Sequence, residues 1–217
     1  MRVGSYRQYC ALAKALDLIG DRWTLLIVRE LLGRGPLRYT DLRDGLPGIA
    51  SNLLASRLRA LENAGLLRKQ AAPPPNATSL FHLTPRGEAL RPAILELGRW
   101  GAPLLAEAPA SDAFLGQWLA WPVELCLRDR EPNHPPTAIQ VLVGDEAVVV
   151  ETRDGAIRTR LGRAERADAA LAGPRGLVVA ALMGTLSLNE ARAHGLRFEG
   201  DPAALQRLQP SVAGRSR

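Results

Sequence analysis

The residue types that ordinarily carry covalent or metal chemistry are few and scattered in this chain. Cys10 and Cys126 stand one in each half, and His82, His134 and His194 have no evident nucleophile partner. A zinc site or a disulfide framework needs more ligands at closer spacing, and no glycine-rich phosphate loop is present. The expectation is therefore a protein that is not an enzyme, with no metal and no cofactor. What the sequence does offer is polyanion chemistry. Between Ser51 and Gly65, Leu54, Leu58 and Leu61 fall on one side of a helical wheel, while Asn52, Ser56, Arg59 and Asn63 project from the other, Arg57 sits on the flank and Ser51 stands at the start as a further candidate contact. Hydroxyl, amide and guanidinium groups so placed can hydrogen-bond base edges, and the flanking Arg57 suits a phosphate better than a base. Further along, Arg68, Lys69, Asn76, Thr78 and Ser79 could meet phosphates or a minor groove, and Tyr39 and Thr40 join them from upstream.

Taken alone, such a helix face could be an ordinary solvated surface, so the elements around it decide. Leu12, Ala15, Leu16 and Ile19 recur at helical spacing, and after Gly20 the residue Asp21 can cap a strongly apolar helix, RWTLLIVRELL. Past the Gly33–Pro36 turn, Thr40 can cap a short helix that ends near Gly45 and Pro47. The basic helix then runs to Gly65. Residues 66–70 and 80–83 read as strands flanking an exposed tip, AAPPPNATS, which makes a hairpin wing. Thr84 as N-cap with Pro85 at the first position opens another helix, carrying Leu90, Ile94, Leu97 and Trp100, in which Pro92 marks a kink or a restart. Short helix, turn, longer basic helix and hairpin form a winged helix-turn-helix, whose second helix fits the major groove of double-stranded DNA.

Charge agrees with that reading. The chain carries 28 Lys and Arg against 22 Asp and Glu; residues 1–100 hold 15 and 8 of these, and residues 101–217 hold 13 and 14. The basic excess thus belongs to the first half, as a polyanion-binding module attached to a near-neutral partner would show. No apolar run is long enough for a membrane span and the N-terminus lacks a signal-peptide core, so the expected setting is cytoplasmic with no membrane partner.

The stretches QYCALAKALDLIGDRWTLLIVRELL, RYTDLRDGLPGIASNLLASRLRALENAGLL and HLTPRGEAL resemble the HxlR family of bacterial winged-helix regulators over roughly residues 7–101. That resemblance implies a homodimer built on the N-terminal and post-wing helices, with two recognition helices on a pseudo-palindromic operator. Some members sense oxidants or electrophiles through a Cys near the start of the first helix. For Cys10, with Arg7 and Lys14 nearby, the two readings are a redox-reactive thiol and a small apolar residue buried at a helix interface.

The fold class expected is α+β, with a winged helix-turn-helix domain at 1–103 and a second α+β domain at 112–210, joined through a Pro- and Ala-rich junction. AIQVLVG, AVVVETR and AIRTRLG alternate with Gly-Asp and Asp-Gly signals, the pattern of an antiparallel meander. GLVVAALMG fits strand or helix, Ser187 with Glu190 forms a capping box, LRFEG reads as a strand, and Asp201–Pro202 opens the last helix. Residues 137–210 resemble sterol-carrier-protein-like domains, in which a sheet is followed by a helix, a small helix opened by Ser-x-x-Glu-Ala, a strand ending in Gly and a last helix begun by Gly-Asp-Pro. Such domains commonly enclose an apolar tunnel. That resemblance implies a hydrophobic small-molecule effector, and Trp118, Trp121, Leu125, Val141, Val143 and Met183 are the candidate lining. A lipid carrier that bears the winged helix as an interaction module is the competing class.

Overall fold

Helix α1 (Ala11–Ile19) buries only Ala13, so Leu12 is 66% and Leu16 39% exposed on an apolar face. The computed structural model describes residues 5–71, 78–109 and 111–208, and the chain divides into two compact units, Met1–Leu104 and Leu105–Arg217. The segment before α1 is tied down by Asp17, whose carboxylate accepts the Ser5 hydroxyl at 2.7 Å and the Tyr6 N–H at 2.8 Å. Those bonds hold the Asp17 carboxyl below its ordinary value, the Ser5 contact first.

The sequence places Asp21 as the N-cap of a helix starting at Arg22, and the structure corrects this. Helix α2 (Thr24–Arg34) has Trp23 at its N-cap, in the left-handed region at φ 80°. Asp21 contributes its carbonyl, which accepts the Thr24 N–H at 3.1 Å, and so leaves its carboxylate for another partner. A second correction concerns Thr40. Helix α3 (Tyr39–Asp44) starts two residues earlier, with Arg38 at the N-cap and the Asp41 carboxylate accepting the Arg38 N–H at 3.0 Å. Arg34 ties α2 to α3 by donating to the Asp41 carbonyl at 3.2 Å.

Helix α4 (Ser51–Asn63) packs Leu54, Leu58 and Leu61 inward. It ends as glycine allows: Gly65 takes φ 68°, its N–H reaches the Glu62 carbonyl, and the Leu66 N–H reaches the Leu61 carbonyl, both at 2.9 Å. Strands β2 (Leu67–Ala71) and β3 (Ser79–Leu83) form the hairpin, and β1 (Leu37–Arg38), too short for any periodicity to signal, pairs with the other side of β3. Beyond the wing, α5 (Pro85–Glu88) stops and α6 (Arg91–Gly101) restarts with Pro92 in its first turn, where a missing N–H does no harm. None of the residues of α6 is buried, and Leu97 and Trp100 stand open, Trp100 at 78%.

In the second unit α7 (Ala120–Cys126) precedes β4 (Ala138–Val143), β5 (Glu146–Arg153) and β6 (Ala156–Leu161), which pair as the expected antiparallel meander. Strand β7 (Ala169–Ala172), which lacks the β-branched composition of a strand and is not read from sequence, lies parallel to β4. GLVVAALMG resolves as helix α8 (Arg175–Leu182). The capping box of α9 (Leu188–Ala193) is formed by Ser187 and Glu190; β8 (Arg197–Gly200) and α10 (Pro202–Leu208) follow. The sheet order is β6-β5-β4-β7-β8. Ile139, Val141, Val150 and Leu171 share one core with Leu119, Val123, Val178 and Leu205. A buried ion pair fastens α10: Arg207 grips both oxygens of Asp129 at 2.7 and 2.9 Å and donates to the Pro135 carbonyl at 2.7 Å. Among the described residues, no helix is long and apolar enough to cross a membrane.

Candidate nucleic-acid interface

Helices α3 and α4 and the turn between them bury Leu42, Leu46, Leu54, Leu58 and Leu61, so the polar positions of α4 between its leucines are turned outward. Asn52, Ser56 and Arg59 are exposed along α4 on the side opposite the buried stripe, and Ser51 is exposed at the first position of the helix. Ala50 at the N-cap supplies no side-chain acceptor, while the Asn52 Oδ1 accepts the Leu53 N–H at 2.8 Å. Tyr39 is half-buried, and its hydroxyl donates to the Ser51 carbonyl at 2.7 Å; it braces the start of α4 from α3. Thr40 is exposed in the first turn of α3.

Arg57 is placed differently from its sequence reading. Instead of a free flanking cation, it is an ion-pair partner of Asp21, through Nη1 and Oδ2, with 19% of its side chain exposed against 28% for Asp21. A phosphate would have to compete with that carboxylate for the guanidinium.

On the wing, Arg68, Lys69 and Gln70 are exposed, and Arg68 donates to the Gln70 Oε1 at 2.7 Å. The register sets Arg68 across from His82 and Lys69 across from Phe81, so alternation sends the two cations to opposite faces of the hairpin. Thr78 and Ser79 are half-buried at the start of the returning strand, and Asn76 lies outside the described residues.

One part of the site escaped residue-by-residue reading, namely what HLTPRGEAL does. The Thr84 hydroxyl donates to the Gly65 carbonyl at 2.7 Å and accepts the Gly87 N–H at 3.2 Å; Arg86 donates to the Ala64 carbonyl at 2.9 Å, and the Thr84 N–H to the Leu66 carbonyl at 3.1 Å. These bonds tie the C-terminal end of α4 to the base of the wing. Gly87 is required there, because a Cβ at that position would stand 2.1 Å from the Leu66 carbonyl oxygen. The Thr-Pro pair signalled a cap, but the long-range partners of the cap are invisible in sequence.

Cys10 is an exposed free thiol at the N-cap of α1. Cys126 is half-buried on α7. Of the candidate effector lining, Val141 is 1% exposed and Val143 is buried within the packed core; Met183 packs against that core and Trp118 is half-buried. Trp121 and Leu125 lie on α7, and their side chains fall outside the described ones. A concavity in this unit lies elsewhere, at the sheet end lined by Thr137, Glu151, Thr152, Arg153, Arg166 and Asp168. Its carboxylate Asp168 is already taken by the Thr137 hydroxyl at 3.1 Å and the Ala138 N–H at 2.8 Å.

The family of HxlR-like helix-turn-helix proteins matches residues 18–108. The regulator YvaP of Bacillus subtilis strain 168, described as an uncharacterized HTH-type transcriptional regulator, is 33% identical over 87 residues, which are 40% of this chain and 80% of YvaP. YodB of the same organism, an HTH-type transcriptional regulator, is 33% identical over 86 residues, 40% of this chain and 76% of YodB. Among solved structures, the reduced form of the B. subtilis regulator YodB aligns at 28% identity over 47% of this chain and all of that one, with a TM-score of 0.40. The redox regulator HypR in its oxidised form aligns at 27% identity over 43% of this chain and 96% of that one, with a TM-score of 0.39.

Proposed function

This chain belongs to the HxlR-like helix-turn-helix family and is a transcriptional regulator of that type, and we propose that it reads a pseudo-palindromic operator as a homodimer. The observation that carries the reading is α4, whose Asn52, Ser56 and Arg59 form an exposed polar edge, with Ser51 exposed at its first position, between the α3 brace and a cationic wing. Base-edge contacts fall to Asn52, Ser56 and Arg59, and phosphate contacts to Arg68, Lys69 and the wing hydroxyls. Tyr39 braces the start of α4, and Thr40, exposed in the first turn of α3, is a further candidate DNA contact. The second copy is supported by exposed Leu12 and Leu16 on α1 with Leu97 and Trp100 on α6, apolar surface that a monomer would leave in water.

The test combines selection of a preferred duplex from a random-sequence pool with stoichiometry on that duplex. Two chains per selected site are expected. The triple substitution Asn52→Ala, Ser56→Ala and Arg59→Ala lowers affinity for the selected site by about tenfold or more, with random-sequence binding nearly unchanged. Undiminished discrimination by the triple variant refutes the reading face.

A thiol-sensing variant of this reading is supported by the exposure of Cys10 at the head of the same open helix. For the second unit, a sterol-carrier-like domain is supported by the order α8, α9, β8, α10 and the Ser187–Glu190 box. With Val141 and Val143 packed into the core, that support extends to the fold and not to an effector cavity.

A further inference from the structure

We infer that Asp21 and Arg57 form a positioning pair that sets the placement of the recognition helix, so that Arg57 serves DNA reading through the protein and not by touching a phosphate. The inference rests on the operator-reading function proposed above and names a further residue pair behind it.

Four observations lead to the pair. Arg57 stands in the second turn of α4, between exposed Ser56 and buried Leu58, where the helix surface passes from its outward to its inward side. Its guanidinium reaches across 36 positions of sequence to the Asp21 carboxylate. Its Nε is buried with no hydrogen-bond partner among the described residues, so the side chain gives up solvent on one nitrogen to keep the Asp21 contact. Asp21, finally, is itself held: its carbonyl receives the Thr24 N–H, and Trp23 beside it occupies a positive-φ conformation that locks the corner between α1 and α2.

The physical need for such a pair follows from the packing of α4. Leu54, Leu58 and Leu61 decide which face turns inward, but dispersion contacts along an apolar stripe are non-directional and tolerate sliding and rotation. A charge-assisted hydrogen bond is directional, and a largely buried one is only weakly screened by salt. Arg57 therefore pins the middle of the helix to a corner formed by other elements. A phosphate contact would look different: an exposed guanidinium, free of acidic neighbours, whose loss reduces counterion release.

The experiment uses the full chain with Asp21→Asn, Arg57→Gln and the double variant. Each is measured on the duplex selected by the wild type and on a random-sequence duplex, over a salt series, and by hydrogen exchange of the DNA-free protein. The expected result is a loss of about tenfold on the selected duplex for each single variant. The double variant loses no more than either single one, the salt slope stays at the wild-type value, and exchange rises in residues 51–63 but not in 67–71. Arg57→Lys, which keeps the charge, retains part of the affinity that Arg57→Gln loses.

Three outcomes overturn the inference. A salt slope reduced by about one in Arg57→Gln, with Asp21→Asn binding as well as the wild type, makes Arg57 a phosphate contact. Additive losses show two independent effects. Exchange that is unchanged in 51–63, or that rises equally in 67–71, removes the positioning role. If the wild type selects no duplex at all, the operator reading fails, and the exchange data alone still decide the pair.

Discussion

Replacing Gly87 by Ala probes the contact that joins the end of the recognition helix to the wing. An added Cβ would stand 2.1 Å from the Leu66 carbonyl oxygen, 3.1 Å from its carbon and 2.9 Å from a Leu83 methyl. Since carbon and carbonyl oxygen approach comfortably only to about 3.3 Å, α5 must withdraw from the α4–β2 junction by about 1 Å. The obstacle is backbone, which cannot swing aside as a side chain would. Overpacking of this kind costs about 1–3 kcal/mol. Withdrawal also stretches the 3.1 Å bond from the Thr84 N–H to the same Leu66 carbonyl, at about 1 kcal/mol. Removing a helical glycine returns about 1 kcal/mol. The net is a destabilisation of about 2 kcal/mol, which for a unit of this size lowers its melting transition by about 8–16 °C. Differential scanning calorimetry of the full chain reads this, with Gly176→Ala as the control, because a Cβ at Gly176 meets nothing within 4 Å. A fall of less than about 2 °C in the Gly87 variant, or a loss as large in the control, refutes the close-approach argument.

Two further predictions concern the wing and the second unit. Arg68→Ala and Lys69→Ala, projecting from opposite faces of the hairpin, are expected to have unequal effects. Each lowers affinity on all sequences, and the one on the face nearer the duplex takes the larger loss, reducing the salt slope by about one, as a salt titration of each single variant would show. In the second unit, the Arg207 hydrogen bonds hold the Asp129 carboxyl below its ordinary value of 3.8. A depressed folded-state value means that the pair's stabilisation is present above the ordinary value and is lost as pH falls through the folded one. Asp129→Asn leaves Arg207 buried without its counter-charge, at a cost of about 3 kcal/mol, and flattens the acid limb of the stability profile measured by urea denaturation. A variant whose acid limb matches the wild type would assign that limb to other carboxylates.

How far each feature could be read from sequence depended on the range of its cause. The helices of the first unit, the wing and the Thr84 cap follow from periodicity and from neighbours within four residues, and these were readable. The polar edge of α4 is readable for the same reason, since leucines at Leu54, Leu58 and Leu61 leave only one side for Asn52, Ser56 and Arg59. Asp21 and Thr40 were misread as caps because their residue types favour capping, whereas the backbone turned at Trp23 and Arg38. Strand β7 was missed because ADAALA carries no strand composition; it is a strand only because β4 and β8 lie on either side. The candidate pocket residues were chosen as apolar positions on facing elements, and that description fits a filled core as well as a cavity.

The same distinction of range explains why the reading helix needs fasteners beyond its apolar stripe. Base recognition requires side chains placed to within a fraction of an ångström, whereas a row of leucines defines a face and leaves rise and rotation soft. Three directional contacts from separate elements remove that freedom: Tyr39 at the start of α4, Asp21 at its middle through Arg57, and Thr84 with Arg86 at its end. Each partner lies between 12 and 36 positions away in sequence. On the proposed operator reading, a substitution at any of the three is expected to alter sequence selectivity while leaving Asn52, Ser56 and Arg59 in place. The effects should be largest for the Asp21 contact, the most buried of the three and hence the one least replaceable by water.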